Sequence, residues 1–409
     1  MDDASPPQLL IRNARVLTLA GDGARRGAAM SDLAVLDEAD VLMRNGLIAQ
    51  ISEKLDPAGA NVIEANGRVL IPAFIDAHTH ACWAGERLDE WDMKRRGASY
   101  LELLKAGGGI MSTVRSVRAA SEDELFDGIM NRLDWMLRGG TTAVEIKSGY
   151  GLTTGDELKM LRAISRAKDA WKGFISHTAC IGHAIDREQD GFVERTIHET
   201  LPAVHAEFPG ITIDGYCEDG AWSLEETVRL FEAAAALGHP LRIHADQFNS
   251  LGMTSAAIGL GARSVDHLEA SSEEDLRRLA TSDTFGVMLP CSGFHTDGRY
   301  GDGRRFIDAG GKLVIATNVN PGSAPCSSMP MAIALAVRHL GISAAEAICA
   351  CTANAAALIG LSDRGSIAIG KRADLLMLRW RDERELGHTF GGDPVDAVIC
   401  DGRVVRQNH

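Results

Sequence analysis

No run of apolar residues in this 409-residue chain is long enough to cross a bilayer, and the chain has neither a low-complexity tract nor an obvious repeat. Basic charge is in short supply. Lys and Arg number 42 against 56 Asp and Glu, for a formal net charge of −14, which argues against a nucleic-acid or anionic-membrane surface. The N-terminal residues MDDASPPQ lack the basic and apolar regions of a signal peptide, so the expected location is the cytoplasm. None of the eight cysteines belongs to a CxxC pair, and they read as reduced structural thiols. AGGGI (Ala106–Ile110) lacks the Lys-Ser/Thr that must follow a phosphate-binding loop and reads instead as a mobile or tight turn.

What is present has the balance of a globular protein, 45% hydrophobic and 24% charged residues. The length suits an α/β barrel of about 250 residues or more plus an appendage. The first seventy residues alternate in β fashion (LLIRNARVLTL, DVLMRNGLIAQIS) with Asn45-Gly46 as a turn, and the C-terminus (ADLLMLRW, DAVICDGRVVRQ) reads alike. Neither end is large enough to fold alone. Residues 1–70 and 370–409 are therefore expected to form one small composite β-sandwich domain, and residues 71–369 the domain between them.

That middle part holds eight apolar segments: AFIDAHTH, AVEIKSGYG, FISHTACIGH, ITIDGYCED, LRIHADQ, SVDHLE, FGVMLPCS and LVIATNVN. Nearly every one is apolar first and polar last. Helical stretches lie between several of them, opened by the capping boxes Ser121/Glu124, Ser223/Glu226 and Ser343/Glu346 and stopped at Gly139, Gly238 and Gly360. This is the pattern of a (β/α)8 TIM-like barrel with its site at the C-terminal face of the strands.

His78 and His80 end the first segment. Two residues apart on a strand, their side chains point the same way, so both imidazoles reach one point at the barrel mouth. His244 ends the fifth segment and His267 the sixth. Independent core histidines have no reason to choose one face, so the four together point to a metal, and imidazole suits Zn²⁺ or Fe²⁺. Lys147 lies on the second segment rather than the fourth, where a bridging carboxylated lysine would sit, which favours one divalent metal over two. His177, His295, His339 and His388 have no site logic in the sequence alone.

This arrangement resembles the amidohydrolase superfamily. DAHTHACWAGER, SYLELLKAGGGIMSTVR, VEIKSGYGL, IGHAI, GYCEDGAWS, IHADQ, DHLE and ATNVNPGSAP narrow the likeness to its imidazolonepropionase family, almost end to end through the barrel. The resemblance implies that His78, His80, His244 and position 318 hold the metal. It implies that Arg87 pairs with a substrate carboxylate, that Tyr150 lies over the substrate, that His183 meets the ring oxygen, and that Gln247 meets a ring amide. Asn320, Gly322 and Ser323 would cradle the propionate through side chain and backbone N–H groups. The implied activity is cyclic-amide hydrolysis, opening 4-imidazolone-5-propanoate to N-formimidoyl-L-glutamate in histidine degradation, by a homodimer.

One position departs. The family has an aspartate at the end of strand 8, and this chain has Asn318. An amide oxygen can still meet a metal, but it cannot serve as a carboxylate base, a loss typically worth about 10²–10⁴ in rate. Three readings stand side by side: an Asp-to-Asn form of an otherwise intact enzyme; a relative acting on a 2-thioxo or hydantoin-type ring propionate, with His267 or Asp246 as proton carrier; and a protein that binds without turnover. A deaminase using the same metal arrangement is a further alternative.

Overall fold

The computed structural model describes residues 8–21, 23–57, 59–97 and 108–407. MDDASPP and the first two residues of the AGGGI turn lie outside them. Sixteen strands among the described residues form two sheets.

The first sheet draws on both chain ends. From the N-terminal part come β1 (Leu9–Leu17), β2 (Val35–Arg44), β3 (Leu47–Ser52), β4 (Asn61–Glu64) and β5 (Val69–Pro72). Next to them pair β14 (Leu375–Leu378), β15 (Val395–Cys400) and β16 (Arg403–Gln407). The order is β16-β15-β14-β5-β1-β2-β3, with β4 also on β1. The antiparallel β5–β14 pair (Ile71 opposite Leu376) is where the two ends meet.

The second sheet is the barrel. Its strands are β6 (Phe74–Asp76), β7 (Thr141–Lys147), β8 (Phe174–Gly182), β9 (Thr212–Cys217), β10 (Leu241–Ala245), β11 (Ser264–His267), β12 (Phe285–Met288) and β13 (Leu313–Ile315). They run parallel in chain order, as eight predicted segments with helical crossovers require. The ring closes just beyond the last strand: Asn318 N–H donates to His78 O at 3.1 Å, and His80 N–H donates to Val319 O at 3.0 Å.

Every residue of β7 is buried, as expected of a parallel strand covered on both faces. Val144 and Ile146 join the large core beneath the helices, while Glu145 and Lys147 alternate to the other side. The helix Glu122–Arg138 buries Leu125, Ile129, Leu133 and Met136, one face at helical spacing. All three capping boxes form. Gly238 and Gly360 take the left-handed conformation expected of helix stops, but Gly139 does not. The left-handed residue there is Gly140, and a Cβ on it would come within 2.7 Å of Leu376 on β14. All eight cysteines are free thiols, seven of them buried.

Candidate active site

The barrel strands deliver their last residues to one mouth. His78 and His80 leave β6 on the same side, while Thr79 between them turns back to donate to Glu145 O at 2.7 Å. His78 Nδ1 donates to Asp266 Oδ2 at 2.5 Å, and Arg242 and Ser264 hold that carboxylate in turn. His244 Nδ1 donates to Asp214 Oδ1 at 3.1 Å, and the other Asp214 oxygen accepts from Lys147 Nζ at 2.6 Å. Lys147 also reaches Glu145 at 2.9 Å, which in turn lies 3.4 Å from Arg242. Two cations and three carboxylates thus form a buried floor under the histidines. Burial alone would lower the Lys147 ammonium, but the attraction of Asp214, Glu145 and Asp266 leaves it raised. Lys147 is therefore a bridged cation rather than a free amine.

This floor sets the imidazole tautomers. Burial, reinforced by Lys147 and the neighbouring rings, pushes His78 well below its ordinary range. Burial and His183 do the same to His80. A neutral ring that donates from Nδ1 to a carboxylate presents the bare lone pair of Nε2, as metal-binding histidines do. His78 Nε2 is buried without a hydrogen-bond partner. The Nε2 atoms of His80 and His244 face each other at 3.1 Å, and one ligand atom from each of the three rings lies within 4.8 Å of the others.

Asn318 stands at the same strand end in the left-handed region, φ 56°. Its Nδ2 donates to Ser292 Oγ at 3.0 Å, and its Oδ1 is buried and unpartnered. Three clustered imidazole rings, with His78 Nε2 and the Asn318 amide oxygen left without partners, fit a divalent transition ion. Asp246, His267, Leu268 and Asn318, all at or just past the ends of barrel strands, adopt positive φ without being glycine. Strain of this kind costs about 1–3 kcal/mol per residue and tends to collect at functional sites.

On the other side of the cluster His183 stacks on His80, with ring centroids 4.6 Å apart, and Tyr150 lies 5.1 Å from His183. Burial raises the Tyr150 phenol, which stays neutral. His183 Nδ1 donates to Gly149 O at 3.0 Å, and burial pushes the ring down to about 3. Its Nε2 is therefore left as an acceptor.

Arg87 forms a fork with Glu90, two contacts of 2.7 Å. Burial works against the Glu90 carboxylate, but Arg87, Gly109 N–H and Lys94 outweigh it and hold Glu90 at about 2. The remaining Arg87 nitrogen, Nη1, lies 3.0 Å from where a Cβ on Gly322 would sit. The predicted cradle is there but internally bonded: the N–H groups of Gly322 and Ser323 both donate to Asn320 Oδ1, at 2.8 and 2.7 Å. Those amides shape the loop, and Arg87 Nη1, which also donates to Thr113 Oγ1 at 3.4 Å, lies beside it.

Gln247 is half-buried beyond β10. Asp246 turns away to accept from Thr254 and Ser271 hydroxyls at 2.8 and 2.7 Å. His267 Nδ1 lies 3.2 Å from Glu269 Oε1, with its ring 5.7 Å from that of His244. Sequence reasoning missed Asp214, Asp266, Glu145 and Arg242. The available signal was a charged residue inside an apolar parallel strand (TIDGY, SVDHL, LRIH), which must find a buried partner.

Barrel, histidine cluster and buried floor define a metal-dependent hydrolase. The amidohydrolase family matches residues 69–405, and the chain belongs to that family. Within it the similarity runs to imidazolonepropionases. The chain is 44% identical to that of Herpetosiphon aurantiacus over 98% of this chain and 97% of the relative. It is 42% identical to that of Deinococcus radiodurans over 93% and 95%. Among solved structures, 5-methylcytosine deaminase from Klebsiella pneumoniae superposes with TM-score 0.74 at 18% identity over 98% of both chains. N-isopropylammelide isopropylaminohydrolase from Burkholderia multivorans superposes with TM-score 0.71 at 18% identity over 98% and 99%. At that identity the likeness is one of fold. Among the described residues no helix is long and apolar enough to cross a membrane.

Proposed function

We propose that this chain opens the ring of 4-imidazolone-5-propanoate to N-formimidoyl-L-glutamate, with His78, His80, His244 and Asn318 holding one divalent ion, Zn²⁺ or Fe²⁺. The observation that carries the reading is the pairing of two features at one mouth. A cluster of imidazole rings lies beside Tyr150 and His183, and Arg87 Nη1 lies beside the Gly322 loop. A ring and an acid tail would each find a partner.

Such an ion supplies Lewis acidity and brings the pKa of water from 15.7 to about 7 in favourable zinc sites. The chain's own residues do the rest. Arg87 would meet the propionate, since a guanidinium suits a carboxylate in both charge and shape. Tyr150 and His183 would fix the ring plane, His183 Nε2 accepting from a ring N–H. Water oxygen bonds to the ring carbonyl carbon, and the carbon–nitrogen bond breaks towards the amidine. The proton travels from the water to the leaving nitrogen, and His267 is the group placed to carry it.

Asn318 favours a second reading, a related five-membered ring propionate of 2-thioxo or hydantoin type, because the site has lost an anionic base. A deaminase is less consistent with an arginine set for an acid tail. The deciding experiment offers the three ring propionates to the metal-loaded chain and to Asn318→Asp, following ring opening spectroscopically. Turnover of imidazolone-propanoate by either form supports the first reading. Turnover of only the thio or hydantoin compound would replace it with the second.

A further inference from the structure

The reaction just proposed needs a proton acceptor, and the residue beside the cluster at the end of the last strand is a neutral amide, Asn318. Asp246 Oδ2 accepts from two hydroxyls and its Oδ1 is buried without a partner, and among the described residues no histidine of the cluster bonds to it. The structure assigns the task to a pair: we propose that Glu269 is the positioning residue that makes His267 the proton carrier in this chain.

Three observations carry this. Glu269 Oε1 lies 3.2 Å from His267 Nδ1. The Glu269 side chain is only 6% exposed although it follows the strand end, and its second oxygen is buried with no hydrogen-bond partner. The backbone bringing it there is strained at two successive residues, His267 at φ 96° and Leu268 at φ 71°. A desolvated carboxylate oxygen left without a donor costs about 1–3 kcal/mol or more, and each left-handed non-glycine residue costs a similar amount. Burying Leu268 in the core accounts for part of that strain, but it leaves the unpartnered Glu269 oxygen unexplained.

The chemistry follows from which atoms can donate. With Glu269 Oε1 as the acceptor of the Nδ1–H, His267 presents a lone pair at Nε2, on a ring 5.7 Å from His244 and 6.2 Å from His78. As the water oxygen bonds to the ring carbonyl carbon, its proton passes to Nε2. The resulting imidazolium is stabilised by the Glu269 side chain, 3.2 Å from Nδ1. The same proton then passes to the ring nitrogen as the carbon–nitrogen bond breaks. This is the orienting role a carboxylate plays behind a histidine base, and no redox partner is needed.

The inference rests on the ring-opening reading, and the test separates the two. Five metal-loaded proteins are compared on imidazolone-propanoate: the chain as given, Glu269→Gln, Glu269→Asp, Asn318→Asp, and the Glu269→Gln/Asn318→Asp double variant. Glu269→Gln should lower kcat about 10²-fold, with KM, bound metal and unfolding midpoint unchanged, and Glu269→Asp should recover part of the loss. With an aspartate at position 318 to take the proton, the same Glu269→Gln change should cost less than about 3-fold, a coupling that a structural role does not produce. Equal losses in both backgrounds, or no loss in either, overturn the inference. If only Asn318→Asp turns over, the inference falls while the substrate reading stands; if no form does, both fall.

Discussion

Asn318 donates from Nδ2 to Ser292 Oγ at 3.0 Å, and this contact decides which end of its amide is left bare beside the histidines. Because Ser292 can equally donate, the pocket accepts an aspartate at position 318 without rearrangement. Asn318→Asp should raise kcat by about 10²–10⁴ and tighten metal binding. Ser292→Ala frees the amide to turn and should weaken the metal without restoring any base. Titration of metal into the three proteins, with turnover measured alongside, checks the order. An aspartate variant no faster than the parent would show that position 318 has no part in moving the proton.

Asp266 and Asp214 act through the rings they hold. Asp266→Asn keeps a hydrogen-bonding oxygen but removes the charge that fixes His78, and the divalent-ion affinity should drop about 10–100-fold. Competition against a chelator of known affinity gives the number, with no reference to turnover. An unchanged affinity would mean that His78 is oriented by the backbone alone.

Lys147 has no contact with the predicted ligands other than through Asp214, yet it should matter to the whole fold. Lys147→Met leaves Asp214 and Glu145 buried and short of their cation, a loss expected to cost about 3–5 kcal/mol. Urea unfolding of the metal-free proteins measures it directly. A loss below about 1 kcal/mol would say that water or Arg242 compensates.

Arg87 and Gly322 make a prediction about binding alone. Arg87→Lys loses the planar fork with Glu90, and Gly322→Ala would put a methyl 3.0 Å from Arg87 Nη1. Both should raise KM for a ring propionate by about tenfold or more with little change in kcat, the signature of lost uniform binding. A fall in kcat with KM preserved would move the acid-tail contact elsewhere.

His177 supplies a pH dependence away from the mouth. Burial, with a smaller push from Lys168, lowers it from 6.5 to about 4. Its Nδ1 is buried without a partner, and the ring meets Phe208 edge-on. Between these two values the unfolded chain takes up a proton that the folded chain refuses. The stabilising contribution is therefore complete above pH 6.5 and declines as pH falls towards 4, by at most about 1.4 kcal/mol per unit. The difference in unfolding free energy between the parent and His177→Gln should narrow on acidification over that window. Parallel curves would mean the ring is charged in the fold.

Periodicity alone announced the barrel. Segments such as FGVMLPCS and LVIATNVN are apolar until their last residues, as a parallel strand buried on both faces tends to be. The two-residue spacing of His78 and His80 likewise made a shared target inevitable once they lay on a strand. Asn318 could be singled out because its neighbours keep the family pattern. None of this reached Asp214, Asp266 or Lys147, whose partners lie 30, 188 and 67 residues away along the chain. Nor did it reveal that the Gly322 and Ser323 amides are turned inward to Asn320, or which nitrogen of His183 is committed to Gly149 O. Strand type and direction are local properties of residue pattern. Which lone pair is bare and which proton is committed depends on where separate strands set their side chains against one another, and only closing the barrel decides that.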